Sequence, residues 1–274
     1  MKEAPTGGTA SLTLVTWNLN HWRQSPESRA AAWDYLAGPL ADLVDWDVAL
    51  LQECSPPADW PHPMLWTELE QYGWGTGVTA RRGALRSVTL EDDSHPGCIV
   101  AAELALNGQL VTLASLYGRQ EHAKQVDGER YEMKYAITAV HRMLSDLTPL
   151  IDQRGRRRRP TPLVLAGDLN VSTQLAPPDR ERHAGLLRRC EELGLTDGWT
   201  VSPDAVRAED CDCADAPGCG HVRTHTHNRS TRPWQLDYVL ANRALRFDSC
   251  RTVLDDDTWQ RSDHASVVAR LSVI

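Results

Sequence analysis

The chain lacks the long apolar runs and the leader segment that direct a protein into or across a membrane. No apolar run reaches the roughly 20 residues that a bilayer requires. The first residues, MKEAPTGGTAS, carry one basic side chain and no apolar core of the kind found in signal peptides. The seven cysteines are an odd set for a disulfide framework, which a chain of 274 residues does not need. We therefore expect a cytoplasmic protein in a reducing compartment, with no membrane-spanning segment.

The chain also lacks an excess of basic residues, and its net charge is -8. This balance argues against strong nonspecific binding to nucleic acid, which needs a dominant basic face, although a local basic groove is enough for a nuclease. The run GRRRRP at 155–160 either contributes to such a groove or is a solvated loop. No stretch resembles an interdomain linker, so we predict a flexible start at 1–10 and a single domain over 11–274. The sequence specifies no oligomeric state.

The hydrophobic pattern predicts strands with helices between them. Short runs typical of buried strands are LTLVTWNL, DVALLQE, TPLVLAGDLN, QLDYVLAN and HASVVARLSVI. Asn107-Gly108 predicts a hairpin between two further strands. Helices are predicted from the Ser25 cap to Gly38, from Tyr131 to Ile151, and in ERHAGLLRRCEELG. This order predicts an α/β fold in which helices cover mixed sheets.

Polar side chains recur where the apolar strands end. These residues are Asn18, Glu53, Tyr117, Asp168, Asn170, Asp237, Asp263 and His264. One buried carboxylate is costly unless it is paired, hydrogen-bonded or bound to metal, so several such strand ends predict convergence in one site. Carboxylate and amide oxygens suit a hard cation such as Mg²⁺ or Mn²⁺, which commonly bridges to phosphate. The ligand types therefore indicate metal-assisted hydrolysis of a phosphate ester, with a carboxylate activating water and a histidine donating to phosphate.

The motifs TWNLN, LLQE, SLYG, AGDLN, QLDYVLAN and SDH resemble, in this order, those of the endonuclease/exonuclease/phosphatase superfamily, which includes deoxyribonuclease I-like nucleases. They span Thr16 to His264, nearly the whole chain. GDLN or SDH alone is a weak signal, but the ordered set is specific. The resemblance implies an α/β four-layer sandwich, in which two mixed β-sheets pack face to face with helices outside.

The resemblance also implies where the metal ion and the attacking water lie. Glu53 is similar to the principal metal ligand of the family, with Asn18 and the second carboxylate, Asp263, beside the metal. Asp168 is similar to the carboxylate that orients or deprotonates the water, and Asn170 to a phosphate contact. Alternation along a strand places residues two apart on one face, which agrees with both side chains entering one cleft.

The remaining implied roles concern the phosphate group. His264 is similar to the histidine that hydrogen-bonds the phosphate, and Asp237 to the acid that orients this imidazole. Tyr117 matches a position that contacts phosphate or assists the leaving oxygen, although a tyrosine of the core is a competing interpretation. Ser262 does not indicate a serine hydrolase, because triad residues are not normally neighbours in sequence and the chain has no G-x-S-x-G motif.

An insertion rich in cysteine and histidine, at about 209–228, departs from the common core of the family. Cys211, Cys213, Cys219 and His221 predict a structural Zn²⁺ site, with His225 or His227 as alternative ligands. The C-x-C and C-x-H spacings are tighter than the usual C-x₂-C, and an exposed loop with reduced thiols is the alternative. A bound Zn²⁺ ion would pin the loop that leads into QLDYVL.

The predicted function is divalent-metal-dependent hydrolysis of phosphate esters by a phosphodiesterase or nuclease. DNA, RNA or a nucleotide is the favoured substrate, because loop tryptophans stack on bases and the arginine run is basic. These tryptophans are Trp22, Trp60, Trp66, Trp74 and Trp234. Packing on the core is the alternative and is favoured for any one of them, with Trp234 as the exception because it lies three residues before Asp237. A small-molecule or lipid phosphate is the first alternative, since one fold serves many substrates. A catalytically silent binding module is the second, and the complete set of catalytic residue types counts against it.

Overall fold

The computed structural model describes residues 11–70, 72–119, 124–126, 129–131, 137–152, 160–215, 218–227 and 230–274. The predicted flexible start at 1–10 and the arginine run at 156–159 lie outside the described residues. Within this part of the chain, no helix is long and apolar enough to cross a membrane.

The elements alternate in the order that the sequence pattern indicates. The strands are β1 (Ser11–Asn18), β2 (Val48–Cys54), β3 (Met64–Glu68), β4 (Gly75–Ala80), β5 (Ala84–Ser87), β6 (Ile99–Leu106), β7 (Gln109–Tyr117), β8 (Lys124–Val126), β9 (Glu129–Tyr131), β10 (Leu163–Asp168), β11 (Leu195–Asp197), β12 (His225–His227), β13 (Ser230–Trp234), β14 (Asp237–Asn242), β15 (Leu245–Val253) and β16 (Ser266–Val273). The helices are α1 (Pro26–Ala37), α2 (Pro39–Val44), α3 (Ile137–Asp146), α4 (Thr148–Ile151), α5 (Asp179–Glu192), α6 (Gly198–Val201) and α7 (Asp256–Arg261).

The described strands form two six-stranded mixed sheets and two small hairpins. The first sheet has the order β15-β16-β1-β2-β4-β3, and the second has the order β11-β14-β10-β7-β6-β5. In each sheet one central pair is parallel, β1 with β2 and β7 with β10, and antiparallel strands flank it. The parallel pairs therefore bring the carboxyl ends of their strands to one edge of each sheet.

The two sheets pack face to face, and β1, β2 and β4 contact β10, β7 and β6. Apolar side chains fill most of the interface, such as Leu14 and Leu50 from one sheet and Leu113 and Leu165 from the other. Helices α1 and α2 cover the outer face of the first sheet, where Trp33, Leu36 and Leu40 join a second core. Helices α3 and α5 pack beside the second sheet. The predicted α/β four-layer sandwich is confirmed.

A polar contact interrupts the apolar interface between the sheets. Gln52 on β2 donates from Nε2 to the Ser115 hydroxyl on β7 at 2.9 Å, and that hydroxyl donates to the Leu51 carbonyl at 3.1 Å. Both side chains are fully buried, so each lost hydrogen bond would leave an unsatisfied polar group, at a cost of about 1–3 kcal/mol. The contact fixes how the two sheets lie against each other at the residue before Glu53.

The local signals behave as expected at α1 and at the β6–β7 hairpin. The Ser25 hydroxyl accepts a hydrogen bond from the Ser28 amide at 3.3 Å, which caps α1. α1 ends before Gly38, and α2 begins at Pro39. Proline is tolerated at the first position of a helix because the amide N–H that it lacks would have no partner within the helix there. Asn107 and Gly108 have φ angles of 50° and 77°, the positive values that a tight hairpin turn requires.

The helix predicted from Tyr131 to Ile151 is shorter and divided. Tyr131 lies in the short strand β9, α3 begins at Ile137, and α4 follows after Leu147. Pro149 lies in the first turn of α4. Proline has no amide N–H to continue the hydrogen bonds of α3, but it is tolerated in the first turn of a new helix. The apolar spacing that included Tyr131 therefore extended the helix too far at its start.

Candidate active site

The strand register places three site residues side by side on the second sheet. Asp168, the last residue of β10, is paired with Asp237 of β14 on one side and with Tyr117 of β7 on the other. A side chain on Gly118 would approach the Leu169 carbonyl oxygen to 2.0 Å, so the chain after Tyr117 passes close to the Asp168 turn only as glycine. The three polar residues therefore share one edge although they are far apart in sequence.

Asn18 connects the first sheet to Asp168. Its amide nitrogen donates to Asp168 Oδ2 at 2.9 Å, and its Oδ1 accepts the Asn20 amide at 2.9 Å. Asn170 also holds Asp168, with its backbone amide 2.8 Å from Oδ1 and its Nδ2 3.0 Å from Oδ2. Asn170 has a φ of 51°, a left-handed conformation that asparagine tolerates better than most residues. Three N–H donors thus fix the Asp168 carboxyl group at the base of the site.

His264 lies between two buried carboxyl groups. Its Nδ1 is 2.9 Å from Asp237 Oδ2, and its Nε2 is 3.8 Å from Asp168 Oδ2. Burial alone would lower the pKa of His264, but the charges of Asp237 and Asp168 outweigh burial and raise it well above its ordinary value. Burial, with the charges of Asp237 and Glu53, raises the pKa of Asp168. The contact with Asp237 leaves Nε2 as the ring nitrogen that faces the site.

The turn that carries His264 is tied to the end of β1. The Ser262 hydroxyl donates to the Asn18 carbonyl at 2.7 Å and accepts the His264 amide at 3.1 Å. The Trp17 indole N–H donates to the His264 carbonyl at 2.9 Å. These contacts occupy the Ser262 hydroxyl within the turn, so its use there is structural. They also join the TWN motif to the SDH motif in space.

Glu53 reaches the site through a bulge in β2. Its φ is 46°, and the pairing of β2 with β4 shifts register between Leu51 and Cys54. A glutamate seldom adopts this conformation, and bulges near sites commonly redirect a side chain. Burial raises the pKa of Glu53 to about 7, although His264 and hydrogen bonds from Tyr117 and Asn18 oppose the shift. The residue is therefore a buried carboxyl group without full compensation of its charge.

Tyr117 contacts Glu53 from the second sheet. Burial and the charges of Glu53 and Asp168 raise the pKa of Tyr117 far above its ordinary value. The hydroxyl therefore stays protonated and is available as a donor. The ring packs edge-on against Trp74 at 5.7 Å between centroids, which fixes its orientation at the wall of the site.

Asp263 has a neighbour that the sequence did not place in the site. His225 Nε2 lies 3.8 Å from Asp263 Oδ2, and the His225 ring is 4.5 Å from the His264 ring between centroids. His225 was expected only as an alternative zinc ligand, and the structure places it against the active-site histidine instead. A long-range bridge between residues 225 and 264 creates this contact, and no local signal in the sequence indicates it.

The oxygen donors of this site suit a hard divalent cation. Glu53, Asp168, Asp237 and Asp263 surround one imidazole, so carboxyl groups outnumber the positive charge of His264. In the described residues, several groups of at least three candidate ligand atoms lie within 4.8 Å of one another. Glu53 belongs to none of these groups. Mg²⁺ commonly binds one or two carboxylates and keeps several waters, so a single buried glutamate beside an amide and a second carboxylate fits that ion.

The floor of an open cleft of about 820 Å³ is formed by Glu53, Tyr117, Asp168, Asn170, Asp263 and His264. Asn18 and Asp237 do not line the cleft and reach it through their hydrogen bonds to Asp168 and His264. Aromatic and basic side chains form its rim: Trp22, Arg23, Tyr72, Trp74, Arg119 and Trp234. The Arg23, Arg119 and Arg232 guanidinium groups lie over the rings of Trp22, Tyr72 and Trp234 at 4.1, 6.0 and 5.0 Å. Trp60 and Trp66 pack on the core beneath α1 and α2 and do not line the cleft.

The four predicted zinc ligands also come together, away from the cleft floor. The Cys/His loop, which comprises residues 209–215 and 218–227, brings Cys211, Cys213, Cys219 and His221 within 4.8 Å of one another, measured between their ligand atoms. His225 and His227 do not belong to this cluster and lie at the cleft. The other cysteines, Cys54, Cys98, Cys190 and Cys250, are buried elsewhere.

A sequence model of the Endonuclease/Exonuclease/phosphatase family matches residues 15–264. No curated protein matches the chain. Among solved structures, an AP endonuclease from Leishmania major is 15% identical, with a TM-score of 0.66 over 96% of this chain and 88% of that chain. An AP endonuclease from Archaeoglobus fulgidus is 16% identical, with a TM-score of 0.61 over 94% and 98%.

A third similar structure is D. rerio TDP2 complexed with single strand DNA product. It is 15% identical and has a TM-score of 0.59, over 96% of this chain and 100% of that chain. At these identities the solved structures show a common fold. The family match covers the segment from β1 to His264, including every residue placed in the cleft floor, and the chain therefore belongs to the endonuclease/exonuclease/phosphatase family.

Proposed function

We propose that the protein hydrolyses phosphodiesters in a nucleic acid or nucleotide and that its activity depends on Mg²⁺ or Mn²⁺. One observation carries the proposal: Asp168 is fixed by three N–H donors while the Nε2 atom of His264 lies 3.8 Å from it. That separation is too long for a direct hydrogen bond, and one oxygen atom lying beside the pair would be within hydrogen-bond distance, about 2.8 Å, of both atoms. Family membership supports hydrolysis of a phosphoester bond as the reaction.

Glu53, with Asn18 and Asp263 beside it, would hold the metal ion. The ion supplies positive charge that stabilises the phosphate oxygens and the leaving oxygen. Asn18 donates through its nitrogen to Asp168 and Glu53, so its contribution in this arrangement is to orient the two carboxyl groups. Tyr117 does the same for Glu53 from the opposite sheet with its one O–H donor. Once the metal ion holds Glu53, that donor would be free for the phosphate or the leaving oxygen.

Asp168 would orient the attacking water and accept its proton. The new oxygen–phosphorus bond forms as the bond to the leaving oxygen breaks. His264, kept cationic by Asp237, would donate from Nε2 to a phosphate oxygen as negative charge develops there. Asn170 would contact the same phosphate from the Asp168 turn. A general base of this kind typically contributes about 10²–10⁴-fold to the rate.

The aromatic rim supports a nucleic acid or nucleotide as the substrate. Trp22, Trp74 and Trp234 offer flat faces, and arginines adjoin the rings of Trp22 and Trp234. Base stacking on such residues contributes about 1–3 kcal/mol for each base and tolerates any sequence. The net charge of -8 favours the alternative, a small-molecule or lipid phosphate, because it disfavours an extended phosphate backbone.

A substrate panel tests the proposal. Plasmid DNA, abasic DNA, RNA, nucleotides, a phospholipid and bis-nitrophenyl phosphate would be assayed with Mg²⁺ or Mn²⁺, and with Asp168→Asn protein as the background control. We expect hydrolysis of a nucleic acid or nucleotide that requires the metal, and a Michaelis constant for nucleic acid that rises steeply with salt. Preferential hydrolysis of the lipid, without salt dependence, would select the alternative. No hydrolysis above the Asp168→Asn background would favour a binding module.

A further inference from the structure

The Cys/His loop has the geometry of a tetrahedral metal site. His221 Nδ1 lies 3.6 Å from Cys211 Sγ and 3.5 Å from Cys213 Sγ. Typical Zn–S and Zn–N bonds at tetrahedral angles place a sulfur and a nitrogen ligand about 3.5 Å apart. Cys211, Cys213 and His221 are buried, and Cys219 is half-buried. The two distances from His221 therefore already match the spacing that a bound Zn²⁺ ion would impose, and Cys219 Sγ lies within 4.8 Å of the other three ligand atoms.

His221 is oriented as a metal ligand requires. Its Nδ1 faces the sulfur atoms, and its Nε2 lies 2.8 Å from the Thr173 hydroxyl. A metal-bound histidine usually donates its second ring N–H to an oxygen, which fixes the tautomer and the ring. Burial lowers the pKa of His221, which favours the neutral imidazole that binds metal. Thr173 belongs to the segment after Asn170, so this contact already links the loop to the cleft.

A buried glutamine supports the cysteine side of the cluster. Gln174 Nε2 lies 3.3 Å from Cys211 Sγ and also donates to the Pro233 carbonyl at 2.6 Å. The Gln174 Oε1 atom accepts the Gln235 amide at 2.8 Å. An N–H donor directed at sulfur stabilises a thiolate, which is the form that binds Zn²⁺. The cluster is thus bonded to the segment that runs from Pro233 to Asp237.

The segment that follows His221 leads directly to the active site. The Val222 amide donates to Gln235 Oε1 at 2.9 Å, the Thr224 amide to the Trp234 carbonyl at 2.9 Å, and the Thr226 amide to the Asp263 carbonyl at 2.8 Å. The Thr224 hydroxyl accepts the Asp237 amide at 3.1 Å. His225, on the same segment, packs on His264. A displacement of this segment would therefore reach His225, Asp237 and Asp263 together.

We propose that Cys211, Cys213, Cys219 and His221 bind one Zn²⁺ ion, which anchors residues 222–227 and so holds His225 against His264. Binding replaces the thiol protons with Zn–S bonds, and the protons pass to solvent. The ion is structural, because the protein fills all four tetrahedral positions and leaves none for water or substrate. The inference does not depend on the nature of the substrate or on the metal bound by Glu53.

Elemental analysis tests the binding of zinc. The protein would be produced without a polyhistidine tag, purified without chelator from medium containing zinc, and compared with Cys219→Ala and with Cys190→Ala, a matched control outside the cluster. We expect about one zinc per chain in wild type and in Cys190→Ala, and less than about a fifth of that in Cys219→Ala. Wild-type protein with less than about half an equivalent, with iron in place of zinc, or with zinc fully retained by Cys219→Ala would overturn the site. The wild-type result decides even if Cys219→Ala does not fold.

Hydrogen exchange tests the anchoring. Exchange at the amides of Val222, Thr224 and Thr226 would be compared between zinc-loaded protein and the same protein after mild removal of zinc. We expect these amides to exchange about tenfold faster or more without zinc, while amides in β10 and β16 remain unchanged, because local opening is confined to the loop. Equal exchange at 222–226 in the two forms would reject the anchoring role even if zinc is present.

Discussion

The cleft and the Cys/His loop both gather polar side chains, but over very different spans of sequence. The cleft residues extend from Asn18 to His264, and the four cysteine and histidine ligands lie between 211 and 221. Strand register positions the cleft, as the pairing of Asp168 with Asp237 and Tyr117 shows. The loop has little regular secondary structure to support it. A site built on strand ends is held by the core, whereas a site built on a short loop needs its ligand to hold it.

The comparison predicts that cleft substitutions reduce chemistry more than stability. The largest effect is expected for Asp168→Asn, which keeps the size of the side chain and removes the proton acceptor. We expect turnover to fall about 10³-fold, the range of a general base. The melting temperature should fall only modestly, because the new amide nitrogen faces at least one N–H donor while a buried carboxyl group is removed. Steady-state kinetics and calorimetry measure the two quantities.

The exposed Asp92 provides a control for that substitution, and Asp92→Asn should alter neither turnover nor stability. If Asp168→Asn kept more than about a tenth of the wild-type turnover, Asp168 would not be the base. If it instead lost activity by unfolding, the expectation that the core holds the cleft without the Asp168 carboxylate would be wrong.

His264→Ala is expected to have the next largest effect. Loss of one donor to a developing negative charge commonly lowers turnover about 10²–10³-fold. The Mg²⁺ concentration for half-maximal activity should change less than about threefold, because in the proposed arrangement His264 faces the phosphate and Asp263 lies beside the metal. Metal titrations at saturating substrate measure maximal turnover and the half-maximal Mg²⁺ concentration separately. A variant with weakened metal response and nearly normal maximal turnover would reject this division between the two neighbouring residues.

Glu53→Gln tests how much the buried negative charge of Glu53 lowers the stability of the folded protein. The folded-state pKa of Glu53 is raised from 4.5 to about 7, so the group prefers to be protonated in the folded protein. Stability from this group is complete below pH 4.5 and is lost as the pH rises through 7, by about 3 kcal/mol in total. Without divalent metal, wild type should therefore lose stability between pH 5 and pH 8, and Glu53→Gln should lose less.

Urea unfolding at several pH values measures that difference, and added Mg²⁺ provides the second comparison. Mg²⁺ should restore the stability of wild type at pH 8 and have little effect on Glu53→Gln, since binding to the folded state stabilises it. An identical pH dependence for the two proteins would show that Glu53 is not the group whose charge the metal relieves.

The same contrast explains what the sequence could predict. Residues at the ends of apolar runs could be recognised because each motif is local, and the fold brings them together. The Asn107-Gly108 hairpin and the Ser25 cap also depend on local chemistry, and the structure agrees with both. The helix predicted from Tyr131 to Ile151 was wrong at its start, because Tyr131 lies in β9, and wrong in its continuity, because apolar spacing does not register the new start at Pro149.

Contacts between distant segments could not be predicted. His225 lies at the cleft through its bridge to His264, although its sequence context places it among the zinc ligand candidates. The same limit applies to the tryptophans, of which Trp234 lines the cleft and Trp66 packs on the core with its indole donating to the Cys54 carbonyl at 3.1 Å. Both are half-buried strand residues that composition does not distinguish, and only the position of Trp234, three residues before Asp237, marked it in the sequence.

Substitution of Trp234 and Trp66 provides the smallest expected effect and a direct test of the aromatic rim. Trp234→Ala should raise the Michaelis constant for a nucleic acid or nucleotide about five- to tenfold with turnover nearly unchanged, since one stacked base contributes about 1–3 kcal/mol. Trp66→Ala is the matched control, because it removes an indole of similar exposure outside the cleft and should lower stability without changing the Michaelis constant.

Arg232 links the cleft to the Cys/His loop, since it lies over Trp234 and bonds Asp212 of the Cys/His loop at 2.6 Å. If zinc anchors that loop, zinc-free protein should show part of the same rise in the Michaelis constant, and Trp234→Ala protein should show no further rise when zinc is removed. An additive rise would mean that the loop reaches the substrate by another route.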